Sequence, residues 1–350
     1  MARKPEGELR RGWTTGACAT AAVKAALEAL WGDGFPKEVM ITLPQGETPV
    51  FPLALSDSGA EWTQVGITKD AGDDPDVTHG ALIVAKVQEG GHGVTFKAGD
   101  GVGIVTKPGL PLPVGQPAIN PKPREMITDV VAQQAARFQR NANVIVEISI
   151  PGGVEIAKKT WNGRLGIQGG LSILGTTGVV RPFSCAAWIA SIHRGIDVAR
   201  ADGLLHVAGC TGATSEATVQ KKFGIPDHGM LDMGDFVGGM LKYLAKHPIP
   251  RVTIGGGIGK MTKLAQGARD LHSARSQVDF NQLSNWAEIL GLGSLTDANT
   301  ALDAYQKTGP KLAEHIAYQA RIAAQDMVGS HTIIDTIVID RSGAIIGQSE

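Results

Sequence analysis

Apolar and polar positions follow different rhythms in the two halves of the chain. The stretch TTGACATAAVKAALEALW is alanine-rich and predicts a helix over residues 13–31. Thr15 is placed to cap it, since its hydroxyl can accept from first-turn N–H groups. Residues 39–59 read as two strands joined at Gln45-Gly46, and 62–90 as strand, acidic loop, strand. Residues 93–110 read as a strand pair turning at Gly99-Asp100-Gly101. A proline-rich connector over 111–126 fixes the path of the chain, and a helix is predicted over 123–140.

After that the pattern changes. NVIVEISI (143–150) is a β-branched run, which predicts a strand buried on both faces. LLHVAGCTG (204–212) and RVTIGGGIGK (251–260) repeat the form, each ending in a glycine loop. Helices are predicted over 184–201, 214–223, 234–247 and 259–270, with more between 279 and 329. The chain closes as a hairpin, 332–348, turning at Arg341-Ser342-Gly343. Strand–helix alternation argues for a parallel sheet. The fold expected is a two-domain α/β protein. Residues 1–140 form an N-terminal α+β domain; residues 141–350 form a C-terminal α/β domain with a mainly parallel, Rossmann-like sheet.

Composition narrows the classes. Net charge is −1, which argues against bulk electrostatic binding of nucleic acid. The cysteines Cys18, Cys185 and Cys210 are too few and scattered for a disulfide framework or a four-cysteine zinc site. MARKPEGELRRGW has no apolar core, so no secretory signal is expected. No apolar run approaches the roughly 20 residues of a membrane span. A cytoplasmic protein without membrane attachment, dimeric like many α/β enzymes, is expected.

The glycine loops are the candidate ligand sites. In an open α/β sheet, ligands sit beyond the carboxyl ends of the strands. Gly209 and Gly212 border one such loop; Gly255, Gly256, Gly257 and Gly259 make another. Together they suggest a nucleotide-like or adenosyl ligand. The phosphate-loop spacing fails at Met261, and Lys260 stands where a dinucleotide fingerprint needs its last glycine. A nucleotide-dependent enzyme such as a dehydrogenase is therefore a weak alternative. Asp70, Asp73, Asp74 and Asp76 lack the calcium-loop pattern and read as a solvated turn. Lys69 and His79 flank that loop, and an imidazole can act near neutral pH, which makes His79 the candidate catalytic group. The remaining histidines show no ligand spacing, so no protein-bound metal is expected. Arg124, Arg181 and Lys260 are candidate clamps for a polycarboxylate, as are Lys158, Lys159 and Arg164.

RRGWTTGACATAA, GITKDAGDDPDVTHG, KAGDGVGIVTKPGL, QPAINPKPREMI, the run VEISIPGG to GTTGVVRP, and GGGIGKMTKLAQG occur in this order between residues 10 and 270. Together they resemble the cobalt-precorrin-5B C1-methyltransferase family, CbiD. The resemblance implies methyl transfer from S-adenosylmethionine to ring carbon 1 of a contracted tetrapyrrole, (cobalt-)precorrin-5B, giving the precorrin-6A-level product of cobalamin biosynthesis. It implies the adenosyl group at the two glycine loops above. It also implies substrate acetates and propionates met by Thr14, Thr15, Lys69, Arg124 and Arg181, with any cobalt carried by the substrate. Cys18 reads as a packing residue rather than a nucleophile. Cys185-Ala186-Ala187 and the form of the 209–212 loop depart from the family pattern. They leave open the alternative of a non-catalytic tetrapyrrole-binding or channelling protein.

Overall fold

The computed structural model describes residues 7–350; the first six residues of the N-terminal segment read above lie outside it. The chain forms two compact units, residues 1–184 and 185–350.

The first unit runs β1 (Gly12–Trp13), α1 (Thr15–Trp31), β2 (Glu38–Met40), β3 (Val50–Pro52), β4 (Leu55–Ser58), β5 (Trp62–Thr68), β6 (Leu82–Glu89), β7 (Val94–Ala98), β8 (Ile104–Val105), α2 (Pro121–Phe138), β9 (Val144–Ser149), α3 (Gly153–Ala157), β10 (Ile167–Gln168) and β11 (Val179–Val180). Its main sheet has the order β4-β5-β6-β9-β7. Helix α1 is buried from Thr15 through Leu27 except at Lys24. A helix apolar all round belongs in a core, and alanine lets it approach α2, β5 and β6 closely. The Thr63 hydroxyl donates to Ala26 O at 2.7 Å, tying sheet to helix. Proline in the first turn of α2 costs no hydrogen bond, because those N–H groups have no helical partner.

Three expectations are corrected here. The boundary lies after Ser184, not near 140, because β9 completes the first unit's sheet. That strand pairs antiparallel with β6 and parallel with β7. It is buried on one face only: Val144, Val146 and Ile148 point inward while Ile145, Glu147 and Ser149 are partly exposed. Nor do β7 and β8 pair across Gly99-Asp100-Gly101. β7 joins β9, and β8 pairs with β10, because this turn delivers the chain to a second, small sheet.

The second unit runs α4 (Cys185–Ala201), β12 (His206–Cys210), α5 (Ala213–Phe223), β13 (Met230–Leu231), α6 (Val237–Leu244), β14 (Arg251–Gly257), α7 (Ile258–Ala265), α8 (Phe280–Ile289), α9 (Ala301–Thr308), α10 (Pro310–Val328), β15 (Ile333–Ile339) and β16 (Ile345–Ser349). Its sheet is mixed, with order β13-β12-β14-β15-β16. The first four strands are parallel and β16 returns antiparallel. Val207, Val252, Ile254, Ile334 and Val338 enter one core with α4, α6, α7 and α10. Ala208, Cys210, Ile337 and Ile339 enter another with Val219 of α5. Burial on both faces explains the continuous apolar runs of β14 and β15.

Strand order creates a switch point. From β12 the chain passes through α5 to β13 on one side, then returns through α6 to β14 on the other. The connections therefore leave the carboxyl ends of β12 and β14 in opposite directions, the arrangement at which open α/β sheets hold their ligands. Among the described residues, no helix is long and apolar enough to cross a membrane.

Candidate functional site

In the first unit, segments far apart in sequence meet at the start of α1. Trp13 N–H donates to Asp70 O at 2.7 Å, Asp73 N–H to Arg10 O at 3.0 Å, and Arg10 N–H to Asp73 Oδ2 at 2.6 Å. Gly12 lies where the two segments cross. A Cβ there would stand 2.0 Å from the Ala71 carbonyl carbon, so only glycine fits. β1 then pairs with β11, and Thr14 N–H donates to Gly178 O at 2.9 Å.

The acidic loop is organised rather than loosely solvated. The Arg10 guanidinium engages both oxygens of Asp70, one of them at 2.9 Å. Hydrogen bonding from Arg10 holds that carboxyl down at about 2. Lys69 is 2% exposed, and its Nζ lies 2.6 Å from Asp76 Oδ2. Burial pushes the Asp76 carboxyl up, but Lys69 and Thr78 outweigh it and the net direction is down. Asp74 Oδ1 accepts from Phe183 N–H at 2.8 Å. Half-exposed His79 accepts the Ala71 N–H at Nδ1, at 3.1 Å. Neutral His79 therefore carries its proton on Nε2 and offers that atom as a donor.

The helix start is closed by the protein itself. Thr14, not Thr15, is the N-cap, and its hydroxyl accepts from Ala17 N–H at 3.2 Å. Thr15 has helical geometry and turns its hydroxyl to the 174 loop, accepting from Leu174 N–H at 2.9 Å and donating to Leu174 O at 3.2 Å. Gly16 N–H also donates to Leu174 O. Both threonines are buried with these partners, so they fasten helix to loop. Arg124 is likewise engaged: its guanidinium donates to the carbonyls of Ile119 at 2.8 Å and Pro117 at 3.1 Å. Arg181 is exposed just beyond β11, and no described residue pairs with it. Cys18 is fully buried, and burial pushes its thiol up to about 12, far from nucleophilic.

In the second unit the carboxyl edge of the sheet is tied together across the switch point. Thr211 N–H donates to Gly255 O at 2.9 Å, and Gly234 N–H to Cys210 O at 3.1 Å. From the first turn of α7, Lys260 Nζ donates to Thr211 O at 3.1 Å and lies 2.8 Å from Asp235 Oδ1. One ammonium thus links the loops after β12, β13 and β14. Burial pushes the Cys210 thiol up to about 12.

The six candidate glycines divide by surroundings. A Cβ on Gly209 would meet Met240 Sδ at 2.5 Å; on Gly255, Val219 Cγ2 at 2.6 Å; on Gly256, Thr211 Cγ2 at 2.8 Å. These three are glycine because the protein packs against them. Gly212, Gly257 and Gly259 would meet nothing within 4 Å. Gly212 has φ 174° and Gly257 has φ −67°, angles open to any residue. Gly259 sits inside α7, where glycine costs about 0.5–1 kcal/mol relative to alanine. Neither packing nor dihedral angle accounts for these three, and all lie just beyond or at the carboxyl ends of β12 and β14. They leave room for a ligand to approach the backbone.

Sequence reasoning reached these loops but not the switch point, which depends on strand order. It also passed over Arg11, whose only signal was its place before Gly12.

These features define a mixed α/β protein with glycine-rich loops at the switch point of its second sheet. The chain belongs to the CbiD family: the CbiD family model matches residues 2–182, and that of the CbiD C-terminal domain matches 270–350. It is 57% identical to a cobalt-precorrin-5B C(1)-methyltransferase of Paramagnetospirillum magneticum, over 98% of this chain and 99% of that protein. It is 56% identical to one of Brucella anthropi, over 98% and 96%. A crystal structure of the cobalamin biosynthesis protein (cbiD) from Archaeoglobus fulgidus matches at 30% identity and a TM-score of 0.43, over 77% of this chain and 84% of that one.

Proposed function

We propose that this chain methylates ring carbon 1 of (cobalt-)precorrin-5B in cobalamin biosynthesis, with S-adenosylmethionine as donor. The shared name of its relatives supports the reaction and favours catalysis over carriage. The observation that carries the donor site is the switch point between β12 and β14, where a Cβ at Gly212, Gly257 or Gly259 would meet no atom within 4 Å. The parallel strands β13, β12, β14 and β15, packed against helices, support reading this unit as a Rossmann-like donor domain.

S-adenosylmethionine supplies an electrophilic sulfonium methyl when bound. The chain's own work is to place it and keep water away. Gly212, Gly257 and Gly259 let backbone come close to the adenosyl half. Lys260 holds the surrounding loops at fixed separation through Thr211 and Asp235. The nucleophile is a ring carbon, so no cysteine or serine nucleophile is required, which suits the inert thiols of Cys18 and Cys210. On the substrate side, Arg181 offers an exposed guanidinium and His79 an Nε2–H donor. Lys69, Thr14, Thr15 and Arg124 support that face through the loops they fasten.

Isothermal titration with S-adenosylhomocysteine tests the reading. Micromolar binding is expected, and Gly257→Val, at a position where a Cβ meets no atom within 4 Å, should abolish it. Folded protein that binds none of the nucleoside, with or without a tetrapyrrole present, would overturn the donor site.

A further inference from the structure

The β1–β11 ladder sets Gly12 opposite Val180 and Trp13 opposite Val179. Continued by one residue, this register places Arg11 opposite Arg181. Both are exposed, and among the described residues neither has a hydrogen-bond or ion-pair partner. Like charges directly opposite on paired strands destabilise the pairing. Their juxtaposition contributes nothing favourable to folding.

Among the described residues, no acid forms an ion pair with either arginine. Asp70 is taken by the Arg10 guanidinium, Asp73 by the Arg10 N–H, Asp74 by the Phe183 N–H, and Asp76 by Lys69. Four aspartates in the adjoining loop are thus occupied, while two arginines are left open.

The frame that presents them is stiff. Trp13 N–H is fixed to Asp70 O and Thr14 N–H to Gly178 O. Gly12 is wedged against Ala71. Phe183, two residues beyond Arg181, is held in the left-handed region at φ +58°, which disfavours a non-glycine residue. Its N–H is anchored by Asp74 at 2.8 Å. Backbone strain kept beside an exposed charge is the pattern of a preorganised binding element.

We propose that Arg11 and Arg181 form a two-arginine clamp for a ligand carboxylate. Guanidinium groups bind carboxylates through paired N–H···O bonds, which fix orientation as well as charge. Resting on the methyltransferase reading above, the carboxylate is a peripheral acetate or propionate of the tetrapyrrole. The same chemistry exists on the methionine half of the donor, and the test separates the two.

The probes are uroporphyrin, a porphyrin bearing acetate and propionate on every pyrrole, and S-adenosylhomocysteine. Each is titrated separately into the full chain and into Arg11→Gln, Arg181→Gln and the double variant. Each single change should weaken uroporphyrin binding about tenfold, the weight of one charge-assisted contact, and flatten its dependence on salt. S-adenosylhomocysteine affinity should hold. The unfolding midpoint should hold or rise, since a repulsion is removed. Weakened S-adenosylhomocysteine binding with unchanged uroporphyrin binding supports the clamp but assigns its carboxylate to the donor. Wild-type protein that does not bind uroporphyrin, or variants that bind both probes like wild type, overturns the clamp. Methyl transfer is assayed separately. Its absence in wild type that still loses porphyrin affinity on Arg→Gln change overturns the methyltransferase reading alone.

Discussion

Thr15 and Leu174 exchange two hydrogen bonds across 159 positions of sequence: the Leu174 N–H donates to the threonine hydroxyl, and the hydroxyl donates to the Leu174 carbonyl. This reciprocal pair locks the start of α1 to the loop that leads into β11. Thr15→Val keeps the shape and removes both bonds. It leaves the Leu174 N–H without that partner, which costs about 1–3 kcal/mol. Urea unfolding should show a lower midpoint; an unchanged midpoint would mean the staple carries no stability.

The cysteines should separate by burial. Cys18 and Cys210 are buried with thiols pushed up to about 12, while Cys185 is partly exposed. Iodoacetamide near neutral pH should therefore alkylate Cys185 alone in the folded protein, and all three in denaturant. Peptide mass mapping reads the outcome. Fast labelling of Cys18 in native protein would contradict its role as packing, as would an inactive but folded Cys18→Ala.

Acid should weaken the first unit through its aspartate loop. Hydrogen bonding from Arg10 lowers the Asp70 carboxyl from 3.8 to about 2. A carboxyl depressed in the fold stabilises it above the unfolded value, and that stability is lost as pH falls through the folded value. The window thus runs from about pH 4 to about pH 2. Asp70→Asn should flatten the acid limb of the stability curve there. Asp76→Asn should do more at neutral pH. Lys69 would be left buried without its counter-charge, a loss of about 3 kcal/mol. Denaturant unfolding across the pH range reads both.

Two glycines of the second unit should respond in opposite senses. Gly259→Ala should raise stability by about 0.5–1 kcal/mol, since α7 gains helix propensity and the methyl meets nothing. It should also weaken S-adenosylhomocysteine. Gly209→Ala would drive a methyl to 2.5 Å from Met240 Sδ and lose about 1–3 kcal/mol by overpacking. Thermal midpoints and titration on both variants test the division. Equal donor affinity in wild type and Gly259→Ala would remove that glycine from the site.

Much of the fold was legible locally. The alanine-rich helix, the 62–68 and 82–89 strands around an acidic loop, the helix after the proline connector, and the final hairpin all follow from spacing and turn residues. The failures share one cause. NVIVEISI reads as a strand from its β-branched residues, but nothing within it says which sheet it joins. Its place between β6 and β7 moved the domain boundary by more than a helix length. Thr15 was read as the cap, but the cap is Thr14, and only the 174 loop reveals that the Thr15 hydroxyl is engaged elsewhere.

By itself the sequence determined the periodic elements, the glycine loops at strand ends, and the order of motifs that marks the family. These depend on residues close in the chain. Tertiary structure alone decided three things: which glycines face open space, which cations stay unpaired, and where the switch point falls. Gly257 and Gly255 are two residues apart and chemically identical, but Val219 crowds only one of them. Arg10 and Arg11 are adjacent, but only Arg10 reaches Asp70. Strand order and cross-strand register choose such neighbours, and a local pattern carries neither.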